Sequence, residues 1–336
     1  MTHQIDPTQT FAVKVTAISE PAPAIRVLEL AGVNGEALPG FDPGAHVSVR
    51  IPPNQTDRTA EMWRSYSLIA FPDELTAPPR GASHYRIGVL RETEGKGGSR
   101  YMHDDVRGGD TLTLRLPPNG FTLEEPRDDI HFVAGGIGIT PLITMAAAIS
   151  KAGRRSTLHY VCRSPERHLF ADRLAAMSGC DVRVYVSKDP ARTLSVSTVL
   201  ADLKNKPPLY VCGPARLIEA VTKGAAALGW NSANLHSESF DEAAPLLGDE
   251  AFEVELANSG TVLTVPADKT LLDVLEASGA MVLYDCRQGD CGLCTCQVKS
   301  GEIIHRDIFL SDDEKAAGNV MQVCVSRAKG RLVLDL

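Results

Sequence analysis

The spacing of apolar residues changes near residue 130, and this change divides the chain into parts that cannot share one type of fold. Before it, short runs rich in β-branched and aromatic residues alternate with proline and glycine clusters, which favours an antiparallel sheet or barrel. The runs lie at 12–18, 25–30, 46–51, 66–69, 85–90 and 111–116. No long helix is predicted in this part.

After this point, short apolar strands alternate with helical patterns, which predicts a parallel sheet covered by helices. The strands are 131–134, 158–162, 182–186 and 209–212, and the clearest helices are 141–152 and 215–228. Residues 241–250 have no periodicity and are predicted to be a linker. Two alternating strands, 252–256 and 262–265, follow on either side of Asn258-Ser259-Gly260. After them come a helix at 271–277 and strands at 296–298 and 332–334.

Composition excludes several classes of protein. The 336 residues favour two or three domains, and 34 basic against 42 acidic side chains give a net charge of -8, which argues against nucleic-acid binding. Glycines and a proline interrupt the most apolar stretch, 130–149, so we predict no membrane span. The polar N-terminus lacks the apolar core of a secretory signal. We therefore expect a cytoplasmic protein with reduced cysteines.

Four of the eight cysteines have a regular spacing near the C-terminus. Four residues lie between Cys286 and Cys291, two lie between Cys291 and Cys294, and 29 lie between Cys294 and Cys324. This spacing predicts the ligands of a 2Fe-2S cluster, which carries electrons singly. A zinc site is the alternative, although structural zinc sites usually show paired Cys-x-x-Cys units.

Residues around these cysteines refine the prediction. Gly289 and Gly292 allow backbone turns that aim N–H groups at sulfur. Cys296 stands two residues beyond Cys294, so it lies on the same face of a strand and is predicted to be a core thiol rather than a ligand.

Two turns at strand ends are candidate nucleotide sites. The stretch 133–141, Val-Ala-Gly-Gly-Ile-Gly-Ile-Thr-Pro, leads from a strand through glycines to a helix N-terminus, which favours anions. It is not Gly-x-Gly-x-x-Gly, and a turn that only allows close packing is the alternative. Residues 210–214, Tyr-Val-Cys-Gly-Pro, end a later strand, so both turns are predicted to border one crevice. Simple core packing is the alternative for Cys212.

Two segments of the first part suggest a cofactor that carries a phosphate and an aromatic ring. Arg64 can pair with a phosphate, Tyr66 can present its ring, and Ser67 can hydrogen-bond a ring atom. An ordinary amphipathic strand is the alternative. The loop 95–99, Gly-Lys-Gly-Gly-Ser, is a second candidate phosphate site.

In their order along the chain, these motifs resemble the phthalate dioxygenase reductase family of the ferredoxin-NADP reductase superfamily. The resemblance runs from Pro43-Gly44-Ala45-His46 through the motifs above and Glu238-Ser239-Phe240 to the four cysteines. It implies a multidomain α+β fold. The domains are an antiparallel β-barrel flavin domain (1–124), an NAD-binding α/β domain with a parallel sheet (125–240), a linker (241–250) and a β-grasp 2Fe-2S ferredoxin domain (251–336).

The family also implies roles for individual residues. Those expected to bind the flavin, with Arg64 on its phosphate and Ser67 near its N5, are Arg64, Ser65, Tyr66, Ser67, Gly97, Gly98 and Ser99. Those expected to bind the nicotinamide nucleotide are Gly135, Gly136, Gly138, Thr140, Cys212, Gly213, Pro214 and Phe240. Ser67, Cys212 and Phe240 are expected at the reacting centre, where Phe240 covers the flavin until the nicotinamide enters.

By the same resemblance, the expected cofactors are FMN rather than FAD, a 2Fe-2S cluster, and NADH. Family members often have an acidic residue at the position of Ser164, and Arg163 and Arg167 could meet a 2'-phosphate, so NADPH remains an alternative. The expected function is transfer of electrons from NADH to a terminal oxygenase, of Rieske type, that hydroxylates or demethylates aromatic compounds. The alternatives are a P450 or another monooxygenase as acceptor, or a redox sensor.

Overall fold

The computed structural model describes residues 9–53, 62–75, 81–116, 119–125, 129–241, 246, 248–284, 286–289, 291–307 and 309–336. The chain forms two compact units, Met1–Phe240 and Asp241–Leu336. In the described part, no helix is both long and apolar enough to cross a membrane.

The first unit begins with an antiparallel sheet of six strands that closes on itself. Leu68, just after the fourth strand, bridges Ile87 in the fifth, and the N–H of Ile69 donates to the carbonyl of Arg86 at 2.9 Å. These contacts join the two edges of the sheet, whose order is β4-β3-β6-β1-β2-β5. The strands are β1 (Thr10–Ala22), β2 (Ile25–Gly32), β3 (His46–Ile51), β4 (Met62–Ser67), β5 (Tyr85–Leu90) and β6 (Thr111–Arg115), and helix α1 (Gly98–Asp104) lies between the last two.

A parallel sheet of five strands completes this unit. Its strands are β7 (Ile130–Gly135), β8 (Ser156–Cys162), β9 (Cys180–Val186), β10 (Leu209–Cys212) and β11 (Leu235–Glu238), in the order β11-β10-β7-β8-β9. Its helices are α2 (Ile139–Lys151), α3 (Ala171–Ala175), α4 (Val196–Asp202) and α5 (Ala215–Ala227). Strand β11 was not predicted because it is short, half-buried and polar after its first residue.

The second unit is a mixed sheet with one longer helix. Its order is β13-β12-β16-β14-β15, and β12 runs parallel to β16 while the other pairs are antiparallel. Its elements are β12 (Phe252–Leu256), β13 (Thr261–Val265), α6 (Leu271–Ser278), β14 (Thr295–Ile304), α7 (Asp312–Ala317), β15 (Val320–Gln322) and β16 (Arg327–Leu334). Apolar residues of α6, Leu271, Leu272 and Leu275, are fully buried in the core of this unit. The predicted fold class is confirmed.

The predicted linker ends in residues that are attached to the second unit. The buried Asp249 side chain pairs with Arg306, whose Nη1 lies 3.0 Å from Oδ2, and the carbonyl of Glu250 accepts from Arg327 at 3.0 Å. Hydrogen bonds from Arg306 hold the pKa of Asp249 at about 2. Within the predicted linker, residues 242–245 and 247 lie outside the described residues. The predicted domain boundaries stay predictions.

Two buried histidines on the parallel sheet make its stability sensitive to acid. His159 is 1% exposed and stacks between His131 and Tyr185, with ring centroids 5.9 Å away on either side. Burial, reinforced by the charges of His131 and Arg183, lowers the pKa of His159 from 6.5 to about 4. The unfolded chain therefore binds more protons than the folded chain between these two values. The contribution of the neutral His159 to the free energy of unfolding is fully present above pH 6.5 and is lost as the pH falls toward 4.

We expect the free energy of unfolding to drop by about 3 kcal/mol on this account as the pH is lowered across that range. His159→Phe keeps the ring stack but removes the titrating group, so urea unfolding of this variant should show a much smaller slope with pH. His131 is expected to leave a residual slope, because burial also lowers the pKa of His131. An unchanged slope in His159→Phe would show that other groups control the acid sensitivity.

Candidate functional site

The side chains of the four predicted ligands approach one another in the second unit. The thiol of Cys324 lies within hydrogen-bonding reach of those of Cys286 and Cys294, and the thiol of Cys291 within reach of that of Cys286. All are buried except Cys286, which is half-buried. Hydrogen bonds to Cys286 and burial raise the pKa of Cys291, and hydrogen bonds to Cys286 and Cys294 with burial raise that of Cys324. The fold thus gathers sulfur ligands in a place with little water.

Backbone N–H groups point at these sulfurs. Gln288 donates to Sγ of Cys286 at 3.3 Å, and Leu293 donates to the thiol of Cys291. The adjacent glycines adopt φ of +81° at Gly289 and +75° at Gly292. A Cβ on Gly292 would stand only 2.2 Å from Phe309 Cζ, so the exposed Phe309 ring packs on this glycine, and the positive φ favours glycine here.

One residue that sequence reasoning missed attaches this loop to helix α6. Nη1 of Arg287 lies 2.9 Å from Oδ1 of Asp273, its Nη2 pairs with Glu276, and its guanidinium stands 4.4 Å from the centre of the Tyr284 ring. Its φ is +56°, a conformation that arginine rarely adopts. The only signal in the sequence was a basic residue next to a cysteine.

The group of four cysteine thiols fits a two-iron cluster. It offers four sulfur ligands, backbone donors toward sulfur and burial, which are the features that a 2Fe-2S centre needs. Cys286 lies within reach of Cys291 and Cys324, and Cys324 lies within reach of Cys294 as well, so all four thiols belong to one group. Cys296 is 6% exposed and packs in the core, and burial raises its pKa to about 12.

In the barrel, the predicted flavin strand lies beside the start of helix α1. A Cβ on Gly98 would be 2.7 Å from Cγ of Arg64, so the arginine stem rests directly on that glycine. Ser67 is buried and Arg64 and Tyr66 are half-buried. Burial raises the pKa of Tyr66, which stays a neutral phenol. Ser65 is exposed, Gly97 has φ +97°, and the hydroxyl of Ser99 accepts from the N–H of Glu92 at 3.1 Å.

This arrangement fits a flavin phosphate and ring. It combines a guanidinium, a glycine backbone at a helix start and a serine hydroxyl within one short stretch of surface. The neutral Tyr66 ring and the Ser67 hydroxyl follow on the same strand.

The two predicted nucleotide turns meet at the carboxyl edge of the parallel sheet. A Cβ on Gly138 would lie 2.5 Å from the carbonyl oxygen of Cys212, and one on Gly213 would lie 2.9 Å from Cα of Gly135. A Cβ on Gly135 would also lie 2.7 Å from Cδ of Pro214. The glycines at 135, 138 and 213 therefore serve close packing of the turns, which was the alternative interpretation. Gly136 differs, because its φ is +56° and a Cβ there would face open space.

Several side chains lie next to these turns. The Cys212 thiol donates to Oε2 of Glu238 at 3.8 Å, and burial together with this carboxylate raises the pKa of Cys212 far above its usual range. Thr140 is buried and its hydroxyl donates to the carbonyl of Ile137 at 3.0 Å. Phe240 is 41% exposed. Sequence reasoning noted Glu238 only as part of a motif and missed its contact with the thiol.

A second acidic residue lies at the predicted ribose position. The hydroxyl of Ser164, which follows strand β8, donates to the carboxylate of Glu166 in the next turn. Hydrogen bonds from its own N–H and from Ser164 lower the pKa of Glu166. The sequence has no acid at position 164, but the fold brings one there from two residues further along.

The fold and these sites define an oxidoreductase with a flavin barrel, a nicotinamide-nucleotide domain and a 2Fe-2S domain. Two family models match within the chain: the 2Fe-2S iron-sulfur cluster binding domain at residues 254–329 and the oxidoreductase NAD-binding domain at residues 132–223. The chain belongs to the phthalate dioxygenase reductase family, the reductase components of oxygenase systems, which use NADH, FMN and a 2Fe-2S cluster.

Relatives and solved structures agree with this assignment. The vanillate O-demethylase oxidoreductase of Pseudomonas sp. (strain HR199 / DSM 7063) is 38% identical over 326 residues, 96% of this chain and 98% of the relative. The crystal structure of phthalate dioxygenase reductase has 34% identity and a TM-score of 0.70, with 97% of this chain and 98% of that one covered. An intact type IV self-sufficient cytochrome P450 monooxygenase has 34% identity and a TM-score of 0.76; this chain spans 41% of that protein.

Proposed function

We propose that this chain takes electron pairs from NADH and delivers single electrons to a Rieske-type terminal oxygenase that demethylates or hydroxylates an aromatic compound. The observation that carries the proposal is the group of four thiols in a chain that also contains the flavin barrel and the nucleotide turns. When bound, NADH supplies a hydride, FMN separates its two electrons and the 2Fe-2S cluster carries them singly. The free thiols and the use of NADH support a cytoplasmic location.

In this proposal, the barrel residues hold the flavin. Arg64 neutralises the phosphate together with the backbone of Gly98 and the hydroxyl of Ser99. Ser67 donates a hydrogen bond to the ring, and Tyr66 packs against it as a neutral, largely apolar surface. Ser65 and Gly97 complete the surface around the phosphate.

The nucleotide turns hold NADH. Gly136 presents an uncovered backbone to the phosphates, while the packed glycines keep both turns in place. Thr140, Cys212, Gly213 and Pro214 surround the nicotinamide, and Phe240 covers the flavin between turnovers. The Cys212 thiol stays neutral there, because burial and the neighbouring Glu238 carboxylate raise its pKa.

Four thiolates hold the cluster in the second unit: Cys286, Cys291, Cys294 and Cys324. These residues would hold the cluster as thiolates, and the N–H groups of Gln288 and Leu293 would stabilise negative charge on sulfur. Cys296 stays a core thiol.

The carboxylate of Glu166 supports NADH over NADPH. An acidic group at the end of the second strand accepts hydrogen bonds from the ribose hydroxyls and repels a 2'-phosphate. Arg163 and Arg167 would favour the phosphate instead, but Glu166 is the group that Ser164 orients.

We expect Glu166→Gln to reduce the preference for NADH over NADPH by about tenfold, the size of one charge-assisted hydrogen bond. Steady-state kcat/KM with each dinucleotide and ferricyanide as acceptor measures this ratio. Asp172→Asn, which removes another exposed carboxylate of the same domain, should leave the ratio unchanged. An equal effect of both variants would indicate a general loss of negative charge rather than ribose recognition.

The proposal is tested with the purified chain in two steps. First, the absorption spectrum should contain superposed flavin and 2Fe-2S bands, the released flavin should co-migrate with FMN, and NADH should reduce ferricyanide rapidly. Slow reduction of ferricyanide would indicate a sensor. Second, the chain should support turnover by a co-encoded oxygenase; reduction of cytochrome c without such support would refute the partner.

A P450 is the second candidate acceptor. The matching part of the self-sufficient P450 monooxygenase covers 97% of this chain, so a chain of this architecture occurs within a P450 protein. NADH-dependent turnover with a co-encoded P450, and not with an oxygenase of Rieske type, would favour this candidate.

A further inference from the structure

A buried hydroxyl group connects the barrel to the helix that follows the glycine turn. Thr144, in α2, is fully buried. Its Oγ1 donates to the carbonyl of Leu68 at 2.7 Å and accepts from the N–H of Ala70 at 2.9 Å. These two backbone groups are separated from Thr144 by more than 70 residues in the chain. The hydroxyl therefore satisfies polar groups of the barrel that water does not reach.

The segment that receives these hydrogen bonds directly follows the predicted flavin strand. Its other edge is bonded to the barrel, because the N–H of Leu68 donates to Ala45 and that of Ile69 to Arg86, both at 2.9 Å. Barrel and helix thus hold the segment from opposite sides. Ser67, the last residue of β4, precedes it immediately.

On the helix, Thr144 stands one turn after Thr140 and on the same face. The barrel also contacts the glycine turn and the start of α2 at Gly88 of strand β5. A Cβ added to Gly88 would lie 3.2 Å from both Cγ2 of Thr140 and Cδ1 of Ile137. It would also lie 3.6 Å from Cδ1 of Ile69, in the segment that follows β4. We call these contacts of Thr144 and Gly88 the junction. The junction brings the end of the strand that contains Ser67 close to the start of the helix that contains Thr140.

We propose that Thr144 is a positioning residue for electron transfer from nicotinamide to flavin. Its hydroxyl sets the distance between Ser67 on the flavin side and Thr140 on the nicotinamide side. Transfer between two bound rings depends steeply on their separation, so a displacement of about 1 Å lowers the rate by about a hundredfold. This inference rests on the function proposed above and adds a residue to it.

The test compares two substitutions of the holoenzyme. Thr144→Val conserves shape but removes both hydrogen bonds, and Thr144→Ser keeps them. In stopped-flow experiments with saturating NADH, we expect the limiting rate of flavin reduction to fall roughly 10- to 100-fold in Thr144→Val, and Thr144→Ser to remain close to wild type. The dissociation constants of FMN and NADH should change much less than the rate, because Leu68 and Ala70, to which Thr144 bonds, belong to neither set of predicted binding residues.

A second readout is independent of turnover. Hydrogen exchange of a peptide covering 66–75 should become faster in Thr144→Val and not in Thr144→Ser, since Ala70 loses its acceptor only in the former. Thr222→Val is the matched control, because the hydrogen bonds of the Thr222 hydroxyl to described residues stay within its own helix, at Ile218 and Glu219. It should change neither the reduction rate nor this exchange.

The valine variant is expected to fold, because other contacts hold the same loop. Glu74 pairs with Arg86 at 2.7 Å and with Arg173 at 3.3 Å.

A wild-type rate in Thr144→Val would overturn the inference, and so would an equal loss in Thr144→Ser. If NADH fails to reduce the flavin of the wild-type protein, the proposed function fails first. These outcomes are therefore distinguishable.

Discussion

Cys294→Ser should abolish electron transfer to cytochrome c, by at least about a hundredfold, while NADH-dependent reduction of ferricyanide continues at the flavin. Cluster ligation needs four sulfurs, and the thiol of Cys294 is one of the pair in contact with Cys324. A serine retains a hydrogen bond to Oε1 of Gln322, which Cys294 contacts at 3.1 Å, so the fold of the second unit should survive. Iron content, the visible spectrum and both acceptor rates are the measurements.

The matched control for this prediction is Cys296→Ser. Cys296 is also buried in the second unit, two residues along the chain, but it does not take part in the contacts among the four thiols. We expect this variant to keep its cluster and its cytochrome c activity, with only a modest loss of stability from the buried hydroxyl. Loss of both activities in Cys294→Ser would contradict the separation of flavin and cluster between the two units.

Arg64→Ala should weaken FMN binding by roughly 10- to 100-fold, because charge-assisted hydrogen bonds to a phosphate contribute about 1.5–3 kcal/mol. The purified variant should lose flavin on gel filtration and with it both acceptor activities. Excess FMN should restore them, because a higher ligand concentration offsets a weaker dissociation constant. Fluorescence titration of the apoprotein with FMN measures the affinity.

Arg50→Ala is the control for the flavin prediction. Arg50 is an exposed arginine of the neighbouring strand β3 and is paired in register with Trp63, so its side chain lies on the opposite face of the sheet from that of Arg64. This variant should bind FMN normally. Comparable flavin loss in both variants would assign the effect to general loss of positive charge and would remove Arg64 from the phosphate site.

Much of the fold was predictable because its signals are local. Strand β10 and the first strand of the second unit were predicted with the observed bounds, since short apolar runs bounded by turn residues encode a strand in themselves. Strand β4 begins and ends earlier than predicted. Residues 68–70 look like its continuation, but they bond to Ala45 and Arg86 of the barrel and to Thr144 of α2 instead of extending the pairing with β3.

Some features of the candidate sites could likewise be predicted from the sequence, and others could not. The sequence alone determined the kinds of domain and predicted the set of four cysteine ligands, because periodicity and ligand spacing are properties of consecutive residues. Only the tertiary structure decided that Gly138 packs on the carbonyl of Cys212, that Arg287 attaches the cysteine loop to α6, and that Thr144 joins helix to barrel. Most of these contacts join residues that are distant in the chain. These contacts depend on how helices and strands pack against one another, and a local sequence pattern does not encode that packing.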